Sequence, residues 1–191
     1  MSRIPNDDEC IQHLVQSGCK MRVIVHCCTV RAVAETICDG IPQADRDLVI
    51  AGSLLHDIGR SRDHTIFHAY YGSEIVEELG LGQELVDIVR KHTGAGLDEV
   101  DVKELGLPDA DYMPATLEEK IVAHADNMVS DNRVVSHHHS VNKLTSKGAF
   151  RGADRVERLH KELSELYGDD LDVVVDLLGE YPNLLKLPQG I

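Results

Sequence analysis

Six ionisable side chains stand at positions whose helical neighbours are apolar: His26, His56, Asp57, His68, His92 and Asp126. His26 shares a stripe with Val23, Val30, Val33 and Ile37, and Asp126 shares one with Val122 and Val129. His92 lines up with Leu85, Ile88 and Val89, and His68 with Tyr71, Gly72 and Ile75. His56 and Asp57 close the run that carries Val49, Ile50, Ser53 and Leu54. A buried carboxylate is costly unless it is paired or bound to a cation. No Arg or Lys occupies these stripes to pair with Asp57 or Asp126. A core histidine or a locally capped Asp explains any one of these positions, but the set favours divalent-metal binding by imidazole and carboxylate.

The elements that must position them read as helices almost throughout. A short helix is expected over 6–17, opened by Asn6 or Asp7 and closed by Gly18. A longer one, "MRVIVHCCTVRAVAETICDG", ends at Gly40, and Asp45 caps "RDLVIAGSLLHDIG". "HAYYGSEIVEELG" and "QELVDIVRKH" make two more. Thr116 and Glu119 form a capping box for "LEEKIVAHADNMVSD". "ADRVERLHKELSELYG" and "DDLDVVVDLLGEYP" complete the set. Between them lie an acidic loop, "GAGLDEVDVKELGLPDADYMPAT", and a polar, basic one, "NRVVSHHHSVNKLTSKGAFRG", and no segment reads as a strand. The expectation is an all-α bundle over 6–135, with a helical extension over 136–191 that packs on it or on a second copy of the chain.

With 191 residues the chain can bury a core without staples. Aromatic residues are 4% and Trp is absent, so aliphatic side chains must fill that core. The five cysteines cluster between Cys10 and Cys38 with no C-x-x-C pair, which predicts reduced, buried thiols and a cytoplasmic setting. No apolar run approaches the roughly 20 residues of a membrane span, and no segment resembles a signal peptide. The net charge of −14 disfavours long nucleic acid as a partner, while a local basic patch stays compatible with a phosphate.

The order His26, then His56–Asp57, then Asp126 closely resembles the HD superfamily of metal-dependent phosphohydrolases, whose pattern is H…HD…D on successive helices. "HDIGR" is similar to its H-D-I-G variant, and "HADNMV" to its closing motif. The resemblance covers residues 20–135 and is nearest to small, single-domain archaeal members. It implies an HD helical bundle in which His26, His56, Asp57 and Asp126 hold a first metal. His68 and His92 would hold a second, with Asp57 bridging. Mn, Fe, Co, Ni, Zn and Mg all suit such ligands. The chain departs from cyclic-dinucleotide members, which carry G-Y-P where it has "TGAGLDE". It departs from members acting on alarmones or deoxynucleotides in having Ile58, Gly59 and Arg60 after the HD pair.

The activity so implied is a metal-dependent phosphohydrolase acting on a small phosphate ester, a nucleotide above all, through water activated between two ions. Arg60, and after it Lys91, are the expected cations for developing charge. His64 is the weaker candidate for a leaving-group acid. Two other classes compete: a regulatory domain that senses a nucleotide or metal, and a factor that processes RNA ends or cyclic phosphates. "SHHHS" at 136–140 reads as a loop, and His124 as facing away from Asp126. Lys143, Lys147, Arg151 and Arg155 are either solvated or within reach of a substrate phosphate. The apolar tail "LDVVVDLLGEYPNLLKL" offers a face for a homodimer.

Overall fold

A computed structural model describes residues 3–179. Asn6 caps α1 (Asp7–Gln16) with a capping box to Glu9. Helix α2 (Met21–Asp39) is buried along much of its length and ends at Gly40. Asp45 accepts from the Leu48 amide to start α3 (Arg46–Leu55). That helix stops earlier than its apolar periodicity suggests: His56 is its C-cap, Asp57 leaves helical geometry, and Ile58–Ser61 form a 3₁₀ turn. Helices α4 (His68–Glu78) and α5 (Gln83–Lys91) follow as a pair.

The two expected loops contain elements that periodicity did not reveal. The acidic one holds α6 (Glu99–Leu105), with a capping box between Asp98 and Asp101. Helix α7 (Leu117–Asn127), started by the Thr116–Glu119 box, ends before Met128 instead of running on to Asp131. Val129–Ser130 (β1) and Arg133–Val134 (β2) then pair as a small antiparallel hairpin, which corrects the strand-free expectation. The basic loop holds α8 (His138–Ser146). Helices α9 (Phe150–Tyr167) and α10 (Val173–Leu178) close the described chain. The dimer-face suggestion lies partly outside the described residues, but Leu171 and Val174 are buried in this chain's own core.

Two hydrophobic clusters hold the bundle. One joins α1 to α5 through Leu14, Ile24, Leu54, Val76 and Leu85. The other joins α2, α7, α9 and α10 through Ile37, Val122, Val156 and Val174. Each core side chain buried this way contributes roughly 1.5–3 kcal/mol. The helices α2, α3 and α7 pack together, so their polar positions meet at the junction between the clusters. All five cysteines are free and buried. Among the described residues no helix is long and apolar enough to cross a membrane.

Candidate metal centre

Helix ends bring most of the six side chains together. His56 and Asp57 sit where α3 gives way to the 3₁₀ turn, His68 opens α4, His92 caps α5 and Asp126 lies in the last turn of α7. His26 comes from the second turn of α2. Gly59 sets the approach of the 3₁₀ turn to α4, because a Cβ there would lie 1.9 Å from the His68 carbonyl oxygen and 2.5 Å from the Gly72 nitrogen.

Every one of the four histidines gives its Nδ1 proton to a main-chain carbonyl. The acceptors are Asp131 for His26 (2.6 Å), Ser53 for His56 (2.7 Å), Thr65 for His68 (2.5 Å) and Val89 for His92 (2.7 Å). In the neutral ring this fixes the tautomer and aims each Nε2 inward, where it can take a metal or a proton. His56 Nε2 lies 3.3 Å from His26 Nε2, and His68 Nε2 lies 3.1 Å from His92 Nε2. Two lone pairs at such a distance repel unless a proton or a metal sits between them. The Asp131 carbonyl reaches His26 because the residue adopts φ 55°, in the left-handed region, in the two-residue turn of the hairpin.

The carboxylates complete the donor set. Asp57 Oδ1 faces His68 Nε2 at 3.2 Å and His92 Nε2 at 3.6 Å, while Oδ2 faces His26 Nε2 at 3.7 Å and His56 Nε2 at 3.8 Å. Asp57 is almost fully buried, and its Oδ1 has no hydrogen-bond donor. Asp126 Oδ1 lies 3.0 Å from His26 Nε2 and 3.6 Å from His56 Nε2. The result is two triads of candidate ligands that share Asp57, His26–His56–Asp57 and Asp57–His68–His92, with a third, His56–His92–Asp126, across them. Burial acts to raise the pKa of Asp57, yet the imidazoles of His56, His68 and His92 around it hold it well below the usual carboxylate range. Burial likewise opposes ionisation of Asp126, and His26 and His56 outweigh it. Burial lowers His26, but the Asp126 hydrogen bond and the two carboxylates raise it to about 9. Burial lowers His92. Two anionic carboxylates among converging imidazole nitrogens fit one or two divalent ions.

The expected cations part company. Arg60 Nε donates to Asp57 Oδ2 at 2.5 Å and stands at the mouth of the site. Lys91 is not brought to the cluster: it is buried and binds Glu119 at 3.1 Å and Asp111 at 3.2 Å. Its neighbour His92 turns inward while Lys91 projects to another side of the helix, so adjacency in sequence did not mean adjacency in space. His64 lines the cavity that opens onto Asp57 and Asp126, which has a volume of about 1090 Å³.

A second set of imidazoles lies elsewhere and is built differently. His137, placed in a loop by sequence, is buried between Asp172 (3.0 Å) and Glu157 (3.3 Å) and stacks on His160 at 3.5 Å. His124 Nε2 and His160 Nδ1 meet at 3.0 Å, and His160 Nε2 meets Asp170 at 3.1 Å. His124 Nδ1 is left buried without a partner, and His137, His160 and Asp172 stand close enough together to be metal ligands as well, so the set ties α7 to α9 and is a second group of candidate ligands.

Comparison with known proteins agrees with the fold. The HD domain family matches residues 23–131. The chain superposes on the HD domain of the L. monocytogenes phosphodiesterase PgpH with a TM-score of 0.52 at 18% identity, covering 85% of this chain and 99% of that one. The same domain in complex with cyclic-di-AMP gives a TM-score of 0.50 at 19% identity, over 84% and 96% of the two chains. Proteins of Picrophilus torridus and Thermoplasma volcanium, both named tRNA (cytidine(56)-2'-O)-methyltransferase, are 44% and 39% identical over 88% and 90% of this chain. The chain spans about half the length of these relatives, 49% and 50%. An uncharacterized protein of Methanocaldococcus jannaschii is 46% identical over 61% of this chain and 71% of its own length. The names of the first two relatives overturn the expectation of a small-nucleotide phosphohydrolase, since they denote an activity on RNA. By the extent of the family match and the pattern of its helices, the chain belongs to the HD domain family.

Proposed function

We propose that this chain is the metal-binding HD part of a tRNA-directed enzyme system, and that its centre receives the phosphate of an RNA end, terminal or 2′,3′-cyclic. The observation that carries this reading is the donor set: four Nδ1-tethered histidines whose Nε2 atoms converge on a buried aspartate with an unpartnered oxygen. A divalent ion held there would supply Lewis-acid charge to a phosphoryl oxygen. Asp57 and Asp126 would balance that charge, and Arg60, paired with Asp57, would stand beside the ion to meet the phosphate. The RNA connection comes from the relatives named for tRNA methylation. The cavity of about 1090 Å³ opens onto Asp57 and Asp126.

The test uses the purified chain loaded with Mn²⁺ and short RNA strands that differ only at the 3′ end: hydroxyl, phosphate or 2′,3′-cyclic phosphate. Metal-dependent binding of the phosphate-bearing ends, followed by a change in those ends, is the expected result. Equal treatment of all three ends, or failure of the chain to take up metal, overturns the reading. Binding without any change of the end favours a sensing role, a reading supported by the chain's matching only half of each named relative. Supplying S-adenosylmethionine and tRNA in parallel asks whether this chain transfers a methyl group.

A further inference from the structure

The cavity above the metal centre has two unlike parts. Its floor is the anionic, imidazole-rich cluster at Asp57 and Asp126, which suits a cation. Another part of its lining comes from α8 and its C-cap, outside the segment that matches the HD family, and carries Lys143 and, at the C-cap, Lys147, with Arg22 contributed by the first turn of α2. Lys143 and Lys147 are four residues apart and share one helix face with His139, which also lines the cavity. The helix is anchored beside them: Val141 and Leu144 pack against the core, and Ser140 Oγ donates to the Asn127 carbonyl at 2.8 Å, Ser140 and Leu144 also lining the cavity. The wall is thus held in register with the last turn of α7, which bears Asp126.

The cations of this wall differ from the others near them. Arg151 pairs with Asp101 and Glu104, each at 2.8 Å, and Arg155 pairs with Asp98 at 2.8 Å and with Asp101. Those two arginines fasten α9 to α6. Among the described residues, by contrast, no carboxylate pairs with Arg22, Lys143 or Lys147. In a chain of net charge −14, Arg22, Arg60, Lys143 and Lys147 gather around one cavity and offset the carboxylates of Asp57, Asp126 and Asp131 that also line it. Like charges one helical turn apart destabilise a helix slightly unless an anion lies between them.

We infer that this wall is a second phosphate site, and that Arg22, Lys143 and Lys147 hold the backbone phosphates of a single-stranded oligonucleotide whose terminal phosphate reaches the metal floor. The inference rests on the metal-centre reading above and narrows it to a strand of more than one phosphate, excluding a mononucleotide as the preferred ligand. Phosphate contacts of this kind position a strand without reading its sequence.

The test compares the Mn²⁺-loaded chain with its K143A/K147A double variant, both lysines being exposed. The probes are an RNA trinucleotide with a 3′-phosphate and adenosine 3′-monophosphate. The variant is expected to bind the trinucleotide about tenfold more weakly or worse. Its log Kd against log salt should be shallower by about 1.4, from two phosphates at roughly 0.7 each. Its Mn²⁺ content and its affinity for adenosine 3′-monophosphate should match the parent chain. Unchanged trinucleotide affinity and salt slope in a variant that still holds Mn²⁺ overturns the wall. Lysine-dependent trinucleotide binding by a chain that takes up no Mn²⁺ supports the wall and instead overturns the metal-centre reading.

Discussion

At the scale of single residues, the centre depends on Asp57 more than on any histidine, because its two oxygens face both triads. Replacing it with Asn keeps the shape and removes the charge. Asp57→Asn should lower divalent-metal affinity by at least about tenfold at both positions, the scale on which loss of ligand support acts. Elemental analysis after dialysis against a fixed free Mn²⁺ concentration reads this directly. His68→Ala should act on one side only, leaving His26, His56 and Asp126 in place. If the centre holds two ions, its metal content should drop from about two per chain to about one. An unchanged content would mean that His68 and His92 serve the ligand and not a second ion. Lys91 offers the contrast: its bonds to Glu119 and Asp111 make Lys91→Ala a stability lesion, visible as a lower melting temperature with metal content unchanged. Removing one partner of a buried ion pair costs about 3–5 kcal/mol.

At the scale of elements, Gly59 decides how the HD turn meets α4. A methyl group there would run into the His68 carbonyl and the Gly72 main chain. Gly59→Ala should therefore push α4 outward, carrying His68 away from Asp57 while His26, His56 and Asp126 keep their places. The expected outcome is a chain that still folds by circular dichroism, loses metal in the manner of His68→Ala and melts lower by several degrees. The helices were largely legible in the sequence because caps are local: Asn6, Asp45 and Thr116 each accept from an amide within three residues. What escaped were elements whose stability is borrowed. Helix α6 is only seven residues long with no buried residue, and it is held by Arg151 and Arg155 from α9. The hairpin of two residues per strand ended α7 early and put the Asp131 carbonyl on His26, a contact that no periodicity could announce.

At the scale of the whole molecule, the extension is part of the body that holds the site. His124, His137 and His160 link α7 to α9, and Leu171 and Val174 enter the core. Truncation after Gly168 removes both apolar side chains together with Asp172, the partner of His137, and should cost several kcal/mol at roughly 1.5–3 for each buried side chain. Aggregation or an earlier urea midpoint would register it. The same link predicts acid sensitivity. Burial, with the neighbouring His160 and His137, pushes His124 down to about 3 from an ordinary value of 6.5. Between those limits the unfolded chain binds a proton at this site that the folded chain refuses, so stability is complete above about pH 6.5 and falls as the pH drops toward 3. Urea unfolding at neutral pH and near pH 5 should differ by on the order of 1–2 kcal/mol, and His124→Leu should flatten that difference. Parallel loss in both proteins would place the sensitivity elsewhere. The cationic wall also belongs to this scale. A net charge averages over the surface, whereas α8 concentrates its unpaired lysines over one cavity, so the sum of −14 said little about nucleic acid at that face.

The sequence by itself determined the helical class and the identity of the six polar residues directed inward. Both follow from local physics, from the spacing of apolar residues and the cost of burying a charge without a partner. Only the tertiary structure decided that Asp57 faces two triads, that Arg60 joins the centre while Lys91 leaves it, and that Lys143 and Lys147 line the cavity while Arg151 and Arg155 fasten a helix. Those are pairings between residues far apart in the chain, set by how helices pack and where their ends fall. A one-dimensional pattern carries the faces of the elements but not the partners that each face will meet.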